Sequence, residues 1–316
     1  MATIINLEEI KAIVKDIDVV AAMEEGFIHY SNGNTVVPPV GELLFEEPKG
    51  DAHIKYGYIK KDAYYVIKIA SGFYDNAKLG IPSSQGLMLL FDQKTGVPKA
   101  ILLDEGHLTD IRTAAAGALA AKYFAPKKIK AIGIIGTGIQ AKLQLEHLQK
   151  HTPCQTVWVW GRTIENTEKF AKELGSDYNI QIAKTASEVA KHCNVIVTTT
   201  PSELALLNAD DVQKGTHITA VGSDTQDKQE LESKLLAKAD IVIADSIPQS
   251  KSRGEIYRAI QDKAISENKI VELGTAIQDS KLQRTNDDQI TIVDLTGVAV
   301  QDIMITKAVY TNYSAV

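Results

Sequence analysis

Cysteine is scarce in this chain, with two residues, Cys154 and Cys193, among 316. They lie far apart and lack CxxC or metal-ligand spacing, so neither a disulfide framework nor a thiolate metal site is expected, and a reducing compartment fits. There is no basic excess. The formal net charge is −6, without the cationic footprint of a nucleic-acid binder, although net charge does not exclude a local cationic pocket. No apolar run reaches the length a membrane span needs. The opening Met1–Glu9 stretch is acidic, without a long apolar core, and is not expected to act as a signal peptide. The expected location is the cytoplasm, with neither nucleic acid nor membrane as a partner. Internal repeats, low-complexity tracts, GxSxG and Walker sequences are missing too. His147 and His151 stand four apart without a surrounding HExxH. Nothing therefore points to a metal, a serine nucleophile or ATP.

What is present is an ordinary globular composition, 44% hydrophobic and 23% charged, in a length that suits two domains. Apolar positions three and four apart predict helices over 7–31. From 43 to 103 the pattern is β, with runs at 52–59, 64–70, 87–92 and 98–104 separated by turn signals such as Thr95-Gly96. An alanine-rich helix is expected over 108–124, ending before Pro126. From 129 onward short apolar strands alternate with helices, which predicts βαβ units and a parallel sheet buried on both faces. The expected fold class is α/β. A Rossmann-like dinucleotide-binding domain spans 126–297, and a β-rich α+β domain spans 1–125, completed by a final helix in 298–316.

The most informative local motif is Gly136-Thr137-Gly138-Ile139-Gln140-Ala141, which follows the strand Lys130–Ile135 and opens a helix. It is GxGxxA in its required context. Gly136 permits the tight turn, Gly138 lets a pyrophosphate approach the backbone, and Ala141 allows close helix–strand packing. The helix N-terminus adds unpaired N–H groups and the positive end of a dipole. The next strand ends in Gly161-Arg162-Thr163, where NAD sites usually offer a carboxylate to the ribose. An arginine there suits a 2′-phosphate, which favours NADPH and leaves NADH open. A solvent-facing arginine is the plain alternative. Two further strand ends should border the cofactor, one carrying Thr199 and Thr200, the other Val221 and Ser223.

Three charged residues sit in awkward places. Lys68 interrupts an apolar strand, on the face it shares with Val66 and Ala70. It either holds a substrate carboxylate or lies on the exposed face of an ordinary sheet. Arg112 lies near the start of the alanine-rich helix, against the helix dipole. It could grip a carboxylate with two parallel bonds or pair at the surface with Asp104 or Asp110. Asp224 lies just past a strand end, where ligands of open α/β sheets bind. From the residues alone, a helix N-cap is the simpler reading of it.

Taken together, several segments resemble the ornithine cyclodeaminase/mu-crystallin family. They are Lys68 with Ser71-Gly72-Phe73, Arg112-Thr113-Ala114-Ala115-Ala116, the glycine turn, Gly222–Leu231 and Leu295–Asp302. The resemblance implies a homodimer joined through the β-rich domain. It implies that Lys68 and Arg112 bind a substrate carboxylate, that Asp224 handles the substrate nitrogen, and that these three are catalytic. It places Gly297 with the substrate and Thr113 and Val298 with the cofactor. Two departures stand out. After Pro38-Pro39, Val40-Gly41-Glu42 stands where many members carry an arginine, with Lys55 as a candidate substitute. The stretch 52–56 also lacks the acid that meets ornithine's distal ammonium, and a lysine there would repel a diamino acid. The activity expected is NAD(P)H-dependent reduction of a cyclic imino acid, Δ1-pyrroline-2-carboxylate to L-proline or its six-membered homologue. The alternatives are ornithine cyclodeamination with recycled NAD, alanine dehydrogenation, and non-catalytic NADPH binding.

Overall fold

The computed structural model describes residues 2–314. The chain divides into two compact units, one formed by the segments up to Arg112 and from Val298, the other by Thr113–Gly297. The division falls inside the helix His107–Phe124. The sequence reading set it after residue 125, because Pro126 marks the end of a helix, and a helix end need not be where packing changes partner.

In the first unit, strand order is Thr3–Ile5, Pro98–Leu102, Ser84–Asp92, Tyr64–Phe73, Gly50–Ile59 and Thr35–Val36, with Gly41–Phe45 also paired to Gly50–Ile59. The first pair is parallel and the others are antiparallel. The helices Leu7–Val14 and Val19–Ser31 begin at side-chain caps. Asn6 accepts from the Glu9 amide while Glu9 accepts from that of Asn6, and Asp18 accepts from Ala21. The helix Ala299–Tyr313 packs on the sheet and on Val19–Ser31. The covered sheet face carries Val66, Met88, Leu90, Ala100 and Leu102, all at most 1% exposed. Lys68 lies on this same face, because side chains alternate along the strand.

The opposite face is also apolar. Register places Leu43, Ile54, Tyr56, Ile67, Ile69, Leu87 and Leu89 together on it. Leu43 is 55% exposed there.

The second unit is an eight-stranded parallel sheet in the order Asn179–Ile182, Thr156–Trp160, Ile132–Ile135, Val195–Thr198, His217–Ala220, Thr291–Asp294, Ile241–Ala244 and Ile270–Glu272. The central strands are buried on both faces, as helices on either side of a parallel sheet require. The order reverses between Ile132–Ile135 and Val195–Thr198, the switch point at which such sheets open a ligand crevice. This is the expected α/β architecture with a separate β-rich unit. One helix is shorter than its periodicity implies. The pattern of 230–238 predicts a helix over that whole stretch, and Ser233–Lys238 is observed, because Glu230 and its amide are engaged elsewhere. No helix among the described residues is long and apolar enough to cross a membrane.

Gly57 shows why a glycine can interrupt a strand. A Cβ there would collide with the Val36 carbonyl oxygen and lie 3.3 Å from the Val37 Cα. Backbone cannot yield as a side-chain tip does, so Gly57→Ala should cost about 1–3 kcal/mol in denaturant unfolding. An unchanged midpoint would mean that this approach is not tight.

Candidate active site

In the first unit, Lys68, Arg112 and Asp302 form one buried cluster. They are respectively 2%, 5% and 1% exposed. Asp302 Oδ1 lies 3.3 Å from Lys68 Nζ and accepts from Arg112 Nε at 3.1 Å. Arg112 Nη1 donates to Gln301 Oε1 at 3.2 Å, and the Gln301 amide donates back to the Arg112 carbonyl. The last helix thus supplies these partners, and the surface pair with Asp104 or Asp110, one of the two readings of Arg112, is not formed. Asp104 is itself buried and accepts from the Leu108 amide at 2.9 Å, at the start of the alanine-rich helix.

Two cations share one carboxylate here. Burial raises the Asp302 carboxyl, but Lys68, Arg112 and Lys55 outweigh it and hold the group below its ordinary value. The ammonium of Lys68 is less well compensated. Burial lowers its pKa, with Asp302 opposing and Arg112 adding to the shift. Nearby Asp104 also opposes the shift of Lys68, while burial raises its own carboxyl. Lys55 is directly opposite Lys68 across the paired strands and adds a third positive charge to this face. Buried cations that share a carboxylate in this way are suited to receive an anion. The acid missing from 52–56 has neighbours in space, since Asp51 and Glu42 stand 3.4 and 3.5 Å from the ring nitrogens of His53.

In the second unit, a cavity of about 390 Å³ opens at the switch point, lined by Gly136, Thr137, Gly138, Gly161, Arg162, Thr163, Thr199 and Thr200. Pro201, at the end of the segment expected to border the cofactor, also lines it, as do Trp160, Asn166, Ser202 and Leu206, which sequence reasoning missed. Gly136 has φ +122°, and a Cβ there would meet Thr199 Oγ1, whereas nothing lies within 4 Å of a Cβ at Gly138. The helix Ile139–Gln149 starts without a side-chain cap, so its first amides face the space left at Gly138. A tight glycine turn, open space and uncapped amides fit a dinucleotide pyrophosphate. No aspartate or glutamate lines this cavity.

Other predicted cofactor residues stand elsewhere. Ala141 is buried between helix and strand, and Gln140 lies on the same helix. Ile139 borders a second cavity with Lys142 and Lys169. Thr113 accepts from Gln144 through its carbonyl. Val221 is buried, and Val298 caps the last helix at zero exposure. Gly297 donates its amide to Asp245 at 2.7 Å. Ser223 is buried and donates its hydroxyl to the Lys228 carbonyl at 2.8 Å.

Asp224 is not a helix N-cap, because the next helix begins at Ser233. Its side chain is 49% exposed and accepts from Lys228 Nζ at 2.6 Å. Beneath this loop lies a set of acids that sequence reasoning missed. Glu230, Glu255, Asp245 and Asp294 are at most 1% exposed. Burial pushes Glu230 up to about 7 despite bonds from Thr198, Thr200 and Gly222. Burial and the neighbouring Glu230 push Glu255 up to about 8. Asp294 is raised by burial, Glu255 and Asp245.

These shifts set a pH dependence. The folded chain keeps protons that the unfolded chain releases above about pH 4.5, so the associated stability is complete below that value and is lost as pH rises through 7 to 8. Thermal melting should therefore decline across this window, and Glu255→Gln, permanently neutral, should flatten the decline. An equally steep profile in the variant would show that Glu255 does not titrate there.

A family model described as "Ornithine cyclodeaminase/mu-crystallin family" matches residues 1–316. The chain is 37% identical to an alanine dehydrogenase of Archaeoglobus fulgidus, covering 98% of this chain and 94% of that one. Among solved structures it resembles an archaeal alanine dehydrogenase dimer with bound NAD, with TM-score 0.89, 33% identity and coverage of 99% and 96%. It also resembles the Δ1-pyrroline-2-carboxylate reductase of Thermococcus litoralis in complex with NADH and L-proline, with TM-score 0.92, 27% identity and coverage of 99% and 98%. With a match spanning its whole length and both parts of its fold, the chain belongs to the ornithine cyclodeaminase/mu-crystallin family.

Proposed function

We propose that this protein is a nicotinamide-dependent reductase of 2-imino acids, with Δ1-pyrroline-2-carboxylate as the preferred substrate and L-proline as the product. The observation that carries the reading is the sharing of one carboxylate, Asp302, by the buried Lys68 and Arg112. A substrate carboxylate would supply the missing negative charge. Arg112 has N–H donors beyond those used by Asp302 and Gln301, and a guanidinium can grip a carboxylate with two of them. Lys55 and Gly297 complete the proposed substrate contacts.

The dinucleotide would be held by Gly136–Gly138 and Thr199–Thr200, with Arg162 and Thr163 toward its ribose end, and when bound it supplies the hydride. Anchoring the carboxylate fixes the neighbouring imine carbon. Asp224, at the start of an exposed loop, would stabilise the protonated imine nitrogen. Its carboxylate accepts from Lys228 Nζ at 2.6 Å, so a charged partner is already at hand there. Arg162, with no acid lining the cavity, supports NADPH over NADH. The similar structures hold NAD or NADH, so the ratio is worth measuring directly.

The 37% identity to an alanine dehydrogenase favours a second reading, in which the imine of pyruvate is reduced. The chemistry at the C=N bond is the same and the ring is absent. Cyclodeamination of ornithine is disfavoured by the cationic Lys55, although Asp51 and Glu42 stand near that strand.

We further propose a homodimer in which a second copy covers the apolar outer face of the first unit's sheet. Sedimentation should give twice the chain mass, and Ile67→Asp should shift it toward the monomer. A wild-type monomer at micromolar concentration would contradict this assignment.

The test of function is nicotinamide oxidation by the purified protein with Δ1-pyrroline-2-carboxylate, alongside pyruvate with ammonia and ornithine alone. Rapid oxidation with the cyclic imine, and faster with NADPH than with NADH, is expected. Asp224→Ala should lower turnover by about 10²–10⁴-fold and leave dinucleotide affinity unchanged. Oxidation only with pyruvate and ammonia would select the second reading, and ammonia released from ornithine would overturn the reductase assignment.

A further inference from the structure

The loop that carries Asp224 is fastened at both ends by carboxylates that the chemistry above does not use. At its start, Gly222 donates its amide to Glu230 Oε2 at 2.9 Å, and Thr198 donates its hydroxyl to the same oxygen at 2.7 Å. Thr200 donates its amide and its hydroxyl to Glu230 Oε1, the latter at 2.7 Å. At its end, the amides of Glu230 and Leu231 donate to the two oxygens of Glu255, at 2.7 and 3.1 Å. Between these points the Gln229 amide donates to the Ser202 carbonyl at 2.7 Å. The loop and the Thr199–Ser202 wall of the dinucleotide cavity are therefore one hydrogen-bonded body.

Packing at Gly222 is equally tight. A Cβ there would collide with the Thr200 carbonyl oxygen and lie 2.7 Å from Glu230 Cδ.

We propose that Glu230 is a positioning residue for the reduction, fixing the Asp224 loop to the strand end that borders the dinucleotide. The inference rests on the reductase reading above. Each oxygen of Glu230 accepts one backbone N–H, and a backbone N–H cannot turn round to accept. Both oxygens must therefore accept at once. A glutamine has the same shape but presents an N–H to one of the two amides. It severs one tether and sets donor against donor. A residue that merely filled space would tolerate this exchange.

The experiment compares full-length wild type with Glu230→Gln in three readouts: steady-state kinetics, NADH affinity by fluorescence titration, and hydrogen exchange. The inference predicts kcat lowered about 10- to 100-fold with NADH affinity within about threefold. It also predicts exchange in 222–231 accelerated about tenfold, with the strands Ile132–Ile135 and His217–Ala220 unchanged. An unchanged kcat overturns it. So does a loss of NADH binding in step with kcat and with exchange rising through the whole sheet, because the role would then be structural. If Glu230→Gln does not fold, Gly222→Ala presses on the same contact from the other side and should show the same split between turnover and affinity; normal turnover there is contradictory. A wild type that oxidises neither nicotinamide with any imino acid removes the reductase reading, while the exchange pattern still decides whether Glu230 tethers the loop.

Discussion

Burying two cations against a single carboxylate constrains the first unit more than any other interaction. Lys68 comes from the middle of a strand, Arg112 from an alanine-rich helix, and Asp302 from the last helix. Removing Asp302 would leave two buried cations without the carboxylate they share, a loss of several kcal/mol in comparable cases. The three elements must therefore arrive together, and Gln301 fixes the orientation by exchanging hydrogen bonds with Arg112. An apolar cluster would be cheaper to bury. Under the proposed function, the arrangement would instead offer an incoming anion a charge complement already desolvated and aimed.

The second unit follows a complementary logic. Its central strands are largely apolar, His217 and Thr291 pair at their amino ends, and a second set of polar groups collects at the carboxyl ends. Some line the dinucleotide cavity, as Thr199 and Thr200 do. Others, Glu230, Glu255 and Asp294, lie below and hold the loops. Their carboxyl groups retain protons to higher pH than free acids do because they are buried close together. Where loops must keep a reactive side chain in place, a carboxylate accepting several N–H groups is stiffer than apolar packing.

Legibility in the sequence followed distance along the chain. The glycine turn was readable because strand, turn and helix are contiguous from Ile132 to Gln149. The buried face of Tyr64–Phe73 was readable from alternation, which put Lys68 beside Val66, although alternation alone could not say whether that face was covered. The partner of Lys68 lies on the last helix, far along the chain, and no local pattern marks Asp302 as the residue that closes the cluster. Glu230 was hidden for another reason. Its neighbourhood has helical composition, and the helix starts late because Glu255 captures the amides of Glu230 and Leu231. At the strand end Val221–Ser223 the serine hydroxyl bonds back to the Lys228 carbonyl. Strand ends locate a site without saying which side chains face it.

The account stands on the claim that the Lys68–Arg112 cluster receives a substrate carboxylate. Calorimetric titration of the protein, saturated with NAD⁺, with L-proline and with L-prolinamide tests it most directly. The account predicts that proline binds, that prolinamide, lacking the carboxylate, does not, and that Lys68→Met abolishes proline binding in a protein that remains folded. Equal binding of the two ligands would contradict it.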